Sequence, residues 1–313
     1  MSVFSTLLES GARPVITAEL PAISGGGLEL VEQHLDSIAP HVDAINATDN
    51  PAAHAHASNV AIAIAIKQYG AEPIMQVVCR DKNRLALEAD IVGASLFGVE
   101  NICALTGDDV TAGDEPEARR VFDLDGPQLI ALATGMSQGQ FLSGRTIDPA
   151  PSLFVGAVEN PCAPPLPHRI ERALKKSNVG ARFLQLQISY HSDRLEQFVS
   201  GCVDRQVTAR TALLPTICLV RSAQALRFMD ERVPGISVPP SVIRRVKGAS
   251  NEAEAAYQLA LEQARHALSL RGVSGLHFAD FRRDGSLARL VADLGVRDGH
   301  RQPLQKEEHA HRS

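Results

Sequence analysis

Glu19 closes an apolar run, Val15-Ile16-Thr17-Ala18, and is followed by Leu20-Pro21. A carboxyl group buried there would have a raised pKa and could act as a proton donor, because burial disfavours the charged form. From position alone, a loop carboxylate in water is an equal reading. Asn101-Ile102-Cys103-Ala104-Leu105 is a second apolar run, and it ends in Thr106-Gly107-Asp108. The glycine permits a sharp turn and leaves an acid at the end of a strand. Taken singly, Asp108 is more simply a turn-capping aspartate.

Other apolar runs also end in polar residues. They are Thr48-Asp49-Asn50, Gln76 with Cys79-Arg80-Asp81, Glu159-Asn160-Pro161, Gln185 with Gln187, and His277. Gln185 and Gln187 alternate on one strand and therefore share a face, expected to be the inner one. The run Arg80-Asp81-Lys82-Asn83-Arg84 reads as a solvated charge cluster or, directly after a strand, as a phosphate site. His54 and His56 are two apart on an expected helix, which puts them on different faces and argues against a shared metal. Lys175-Lys176 near a helix end suits the helix dipole. His300, His309 and His311 read as solvated surface.

The elements that would position these residues alternate. Strands are expected over residues 15–19, 42–48, 73–79, 101–105, 152–158, 182–188, 211–219 and 275–279. Helices are expected over 28–38, 55–69, 83–97, 126–135, 168–177, 192–205, 222–232 and 251–271, from apolar residues at helical spacing. Residues 233–240 carry three prolines and a glycine and read as irregular. Eight strands alternating with helices point to one (β/α)8 barrel over residues 1–297, in which reactive groups gather at the carboxyl ends of the strands. A doubly wound sheet is the rival. It is disfavoured because no G-x-G-x-x-G opens a helix and no composition change marks a second domain. Gly25-Gly26-Gly27 reads as a flexible loop, and the polar tail from 298 to 313 as frayed.

Composition narrows the class further. A net charge of -5 leaves no basic footprint for nucleic acid. Polar residues interrupt every apolar run before membrane-spanning length. Met1-Ser2-Val3-Phe4 lacks the pattern of a secretory signal. Five widely spaced cysteines, mostly inside apolar runs, fit reduced thiols of a cytoplasmic protein with no zinc pair.

In this order the residues resemble the methylenetetrahydrofolate reductase family, over about residues 13–297. The matching pieces are Thr17-Ala18-Glu19-Leu20-Pro21, Asp43-Ala44-Ile45-Asn46-Ala47-Thr48-Asp49-Asn50, Leu105-Thr106-Gly107-Asp108, the stretch 176–187 and Gly272-Val273-Ser274-Gly275-Leu276-His277-Phe278. The resemblance implies a flavin-bearing catalytic barrel without a regulatory domain. It would interconvert 5,10-methylenetetrahydrofolate and 5-methyltetrahydrofolate, in one-carbon metabolism and methionine biosynthesis. Glu19 matches the general acid, Asp108 the acid beside flavin and pterin, and Gln187 the folate-positioning glutamine, with Asn50 also toward substrate. Thr48, Gln76, Thr106, Gly107 and Lys176 fall at flavin-contacting positions. Phe122 is added as a candidate cofactor contact, and Arg80, Arg84 and Lys176 as candidate sources of positive charge for the flavin's phosphates. The implied cofactor is FAD, with FMN open. NADH or NADPH would exchange electrons, and a homo-oligomer is expected.

The chain departs from the family pattern at several positions. Gln76 stands where many members have histidine, Thr106 where many have arginine, Val158 for a tyrosine, and Ala223 for a stacking aromatic. Two alternatives stay open. One is a flavin-free reductase of the same fold taking hydride directly from NAD(P)H. The other is a barrel that binds a methyl-pterin and serves a methyltransferase partner.

Overall fold

The computed structural model describes residues 1–297; the tail expected to fray lies outside the described residues. Eight parallel strands close into a barrel in sequence order: β1 (Val15–Glu19), β2 (Ala44–Ala47), β3 (Pro73–Val78), β4 (Asn101–Leu105), β5 (Phe154–Glu159), β6 (Phe183–Leu186), β7 (Ala212–Leu219) and β8 (Gly275–Asp280). Closure is made by β1 against β8, with Thr17 beside His277. The (β/α)8 reading therefore holds. The doubly wound rival does not, since its sheet would have two edges.

The helices are α1 (Val3–Ser10), α2 (Gly27–Ile38), α3 (Asn59–Gln68), α4 (Arg84–Ser95), α5 (Gly126–Ser137), α6 (Leu166–Asn178), α7 (Ser192–Asp204), α8 (Ala223–Arg232), α9 (Pro240–Lys247), α10 (Glu252–Ser269) and α11 (Ser286–Leu294). None of the described helices is long and apolar enough to cross a membrane. Helix starts follow local chemistry. Asn83 caps α4, Asn251 caps α10, and Asp125 opens α5 with a reciprocal capping box to Gln128, each satisfying backbone N–H groups that have no partner in the first turn.

Three local expectations need correction. The helix expected from residue 55 begins at Asn59. Residues 51–53 form a tight turn instead, with Ala52 and Ala53 at positive φ. His54 and His56 are therefore on a loop. The irregular stretch 233–240 runs into α9, which the pattern of prolines had hidden, since Pro239 and Pro240 stand at its start, where proline is tolerated. α1 was also missed. Its Phe4 closes the amino end of the barrel, edge-on to Phe154 and Phe183 at 5.8 and 5.1 Å.

The main core fills the layer between strands and helices. A second cluster joins Tyr190, Cys218, Leu226, Met229 and Val246, so α8 and α9 pack over the carboxyl ends of β7 and β8. Asn160 Nδ2 donates to Gly235 O at 2.8 Å, tying this cover to the end of β5. The rest of the rim is shaped by turns. Gly107, at φ +95°, is the clearest, because a Cβ there would sit 2.4 Å from Val78 Cγ2. Gly107→Ala is expected to destabilise the protein by about 2 kcal/mol or more, from strain plus overpacking. Denaturant unfolding checks this; an unchanged midpoint would remove the turn constraint.

Candidate active site

Inward positions of the strands carry polar side chains midway up the barrel. Asn46 and Gln185 exchange two hydrogen bonds across the interior, Asn46 Nδ2 donating to Gln185 Oε1 at 2.8 Å and Gln185 Nε2 to Asn46 Oδ1 at 3.0 Å. The Cys103 thiol donates to the same Gln185 oxygen at 3.6 Å. Gln185 Nε2 also lies 3.3 Å from His277 Nδ1, and Thr17 Oγ1 lies 2.8 Å from that nitrogen. All five residues are buried. Such groups are costly without partners, and here they supply one another's, save at His277 Nε2. Burial pushes the Cys103 thiol up, so it stays protonated at neutral pH.

Glu19 stands one inward step above this belt. His277 Nε2 is 3.7 Å from Glu19 Oε1, and the glutamate side chain is 35% exposed. The structure lies between the two readings open in sequence, a buried carboxyl and a loop carboxylate in water. The strand ends there, which lifts the carboxyl to the lip of the barrel. The face is open to ligand yet backed by a polar interior.

The rim above β2–β4 is held by charge pairs. Asp49 is buried, accepts from Val78 N at 3.0 Å, and meets Lys82 Nζ at 3.2 Å. Burial pushes its carboxyl up while Lys82 opposes the shift. Arg80 is buried and forked onto Asp81, with Nε to Oδ1 at 2.6 Å and NH2 to Oδ2 at 2.7 Å. It also donates to Asn50 O at 3.1 Å and Asp108 O at 3.4 Å. Burial alone would raise Asp81, but the bonds from Arg80 and Asn50 bring its carboxyl below the usual range. Asn50 adopts φ +44°, a conformation asparagine tolerates. The Asp108 side chain is exposed. Arg84 is on the surface, forked onto Asp123 at 2.8 and 2.9 Å. Phe122 is exposed at φ +39°.

Across the rim, Glu159 is buried at the end of β5 and faces α6. Lys176 Nζ donates to its Oε2 at 2.7 Å, with Arg169 and Arg172 at 3.6 and 3.7 Å. Burial pulls the Lys176 ammonium down, and Glu159 only partly restores it. Just beyond β6, Gln187 Oε1 accepts from Ile188 N at 2.9 Å.

The chain matches the family model described as methylenetetrahydrofolate reductase over residues 21–295. It belongs to the methylenetetrahydrofolate reductase family. No curated protein matches it in sequence. Among solved structures it is similar to an uncharacterized protein from Clostridium thermocellum that binds two copies of 5-methyl-5,6,7,8-tetrahydrofolic acid. That likeness has 14% identity and a TM-score of 0.65, over 94% of this chain and 99% of that one. It is also similar to EDTA monooxygenase (EmoA) from Chelativorans sp. BNC1, at 11% identity and TM-score 0.55, over 95% and 96% of the two chains. DmoA from Hyphomicrobium sulfonivorans gives 8% and 0.52, over 90% and 86%. At these identities the structures show a shared barrel fold.

Within the methylenetetrahydrofolate reductase barrel, Glu19, Thr48, Gln76, Thr106, Asp108 and Gln187 all lie toward the carboxyl end, since every strand is parallel. Thr48 and Gln76 are buried there, and Thr106 Oγ1 lies where a Cβ on Gly126 would meet it at 3.2 Å, against the start of α5. The phosphate expectation fares differently. Arg80, Arg84 and Lys176 each already hold an internal carboxylate, because Asp81, Asp123 and Glu159 lie within reach of their stems. Thr17, Asn46 and the facing of His277 toward Glu19 were not anticipated. Thr17 and Asn46 stand two positions before Glu19 and Thr48, on the inward alternation, and that was the available signal.

The Glu159 cluster gives an asymmetric expectation. Glu159→Gln leaves three cations without their carboxylate, whereas Lys176→Met leaves Glu159 with two arginines. Removing one partner of a buried pair costs about 3–5 kcal/mol. Glu159→Gln should reach that range and Lys176→Met fall below it, as read by chemical denaturation. The reverse order would contradict the arrangement.

Proposed function

We propose that this protein interconverts 5,10-methylenetetrahydrofolate and 5-methyltetrahydrofolate, with Glu19 as the acid and base. The observation that carries the reading is a half-open carboxyl at the end of β1, backed by a buried histidine, in a barrel of this family. The matched stretch begins at residue 21, so the role of Glu19 rests on this geometry and on its sequence neighbourhood. In the reductive direction, Glu19 gives its proton to N10 of the folate. The bond from N10 to the bridging carbon breaks, leaving a cationic iminium at N5. Hydride then adds to that carbon, so one proton and one hydride are consumed. In reverse, the Glu19 carboxylate takes the N10 proton as the ring closes. Asp108, a carboxylate on the same rim, favours the cationic iminium electrostatically. Gln187 and Asn50 are the proposed polar contacts to the folate, and Thr48 and Gln76 line the floor beneath it.

The family implies a flavin, which would supply hydride between nicotinamide and folate. A flavin dinucleotide brings a pyrophosphate that needs positive charge. The three cations expected to meet it are already paired with Asp81, Asp123 and Glu159. As arranged, the two buried ones, Arg80 and Lys176, do not fit that group. The same observation favours a second reading of the hydride source, in which a nicotinamide nucleotide hands hydride directly to the folate.

Glu19→Gln should fold normally and lose folate turnover by at least about a hundredfold, the scale of general acid catalysis. Turnover near that of the parent would remove Glu19 from the reaction. The hydride source is tested by the visible spectrum of the purified protein. Turnover with NAD(P)H by a colourless protein supports direct transfer. A stoichiometric bound flavin, released and identified by mass, would overturn that reading and restore the flavin.

A further inference from the structure

Among the described residues, three buried side-chain polar atoms have no hydrogen-bond partner: Thr134 Oγ1, Arg172 Nε and His277 Nε2. Thr134 lies on α5, and Arg172 Nε, on α6, is 3.7 Å from the Glu159 carboxylate. His277 is different. Its ring is 3% exposed, and its unpartnered nitrogen faces the Glu19 carboxyl.

The other ring nitrogen fixes which proton His277 carries. Gln185 offers Nε2, a donor, to Nδ1 at 3.3 Å. The orientation of that amide is set by its own partners, since Gln185 Oε1 accepts from both Asn46 Nδ2 and the Cys103 thiol. The Thr17 hydroxyl lies 2.8 Å from Nδ1 and 3.3 Å from Leu276 O, and its one proton, when turned to Nδ1, adds a second donor there. With Gln185 Nε2 as the donor, Nδ1 is the acceptor. The neutral imidazole must hold its hydrogen on Nε2, pointing at Glu19 Oε1. The present 3.7 Å exceeds a hydrogen bond by about 0.7 Å, and such contacts commonly tighten when substrate binds. Cys103 and Cys218 feel the Glu19 charge, and burial pushes both thiols up. Neither competes as a charge.

We propose that His277 is a positioning residue for Glu19. Its Nε2–H donates to Oε1 in the working complex and so directs the acidic proton onto Oε2, the oxygen left for N10 of the folate. A carboxylic acid carries one O–H, and a fixed N–H donor at one oxygen leaves the other as the place for it. The buried belt of Thr17, Gln185, Asn46 and Cys103 then has a function beyond filling the barrel. It holds the imidazole in one tautomer and one orientation. The inference rests on Glu19 as the acid, and its test separates the two.

Two substitutions divide the ring. Glutamine places its amide near the position of Nε2, and asparagine near that of Nδ1. His277→Asn should lower kcat by about tenfold or more with KM changed less than about twofold, and His277→Gln should recover most of kcat. Equal losses in the two variants, or a loss carried by KM, would overturn the positioning role. A second measurement needs no turnover. Nitrogen-15 NMR of histidine-labelled parent protein, with His277 assigned by its absence in His277→Gln, should show hydrogen on Nε2. The Nε2–H resonance should move in Glu19→Gln. Hydrogen on Nδ1, or a resonance indifferent to Glu19→Gln, would overturn the inference even if His277→Asn fails to fold. Unimpaired turnover in Glu19→Gln would instead remove the acid, and both readings would fall together.

Discussion

The pair of amides that Asn46 and Gln185 form across the barrel is the contact on which the site depends. These residues are 139 positions apart and lie on β2 and β6, which are not neighbours in the sheet. Only closure of the barrel brings them together. Their mutual bonds leave one Gln185 hydrogen for His277, and His277 in turn stands beneath Glu19. A half-satisfied polar network inside a barrel would be worse than an apolar filling, because each unpaired group keeps its desolvation cost. This network is satisfied except at one atom, and that atom looks toward the mouth. The polar interior is thus arranged toward the rim, with the apolar plug of Phe4, Phe154 and Phe183 confined to the amino end.

The rim divides into two halves of different character. Over β2–β4 it is a lattice of charge pairs, in which Arg80, Asp81, Lys82 and Asp49 neutralise one another. Over β7 and β8, α8 and α9 form an apolar cover tied back to β5 through Asn160. Glu19, at the end of β1, and Asp108, past the end of β4, stay open to solvent. The carboxylates that do the holding, Asp49 and Glu159, are buried against lysine. The carboxylates proposed for chemistry are partly or wholly exposed.

Much of the architecture was legible because it is local. Apolar runs ending in polar residues gave every strand to within a few positions, and capping residues such as Asn83 and Asn251 mark helix starts. What escaped was set by distance in the chain or by backbone detail. The helix at residue 55 was displaced because Asn50, Ala52 and Ala53 take positive φ, which alanine gives no warning of. Arg80 and Lys176 look like free cations in sequence, since nothing there tells which carboxylate will reach them. Gln185 was placed correctly on the inner face by its alternation with Gln187. That alternation does not say that Asn46 would be opposite it, or that His277 would meet Glu19. Those facts follow from closure and register, as when Thr17 pairs with His277 across the β1–β8 seam.

The most direct measurement is a crystal structure of the protein with 5-methyltetrahydrofolate bound. The pterin should occupy the carboxyl mouth of the barrel, with N10 within about 3 Å of Glu19 Oε2 and His277 Nε2 drawn onto Oε1. A folate seated elsewhere, or in the mouth with N10 turned away from Glu19, would contradict the account.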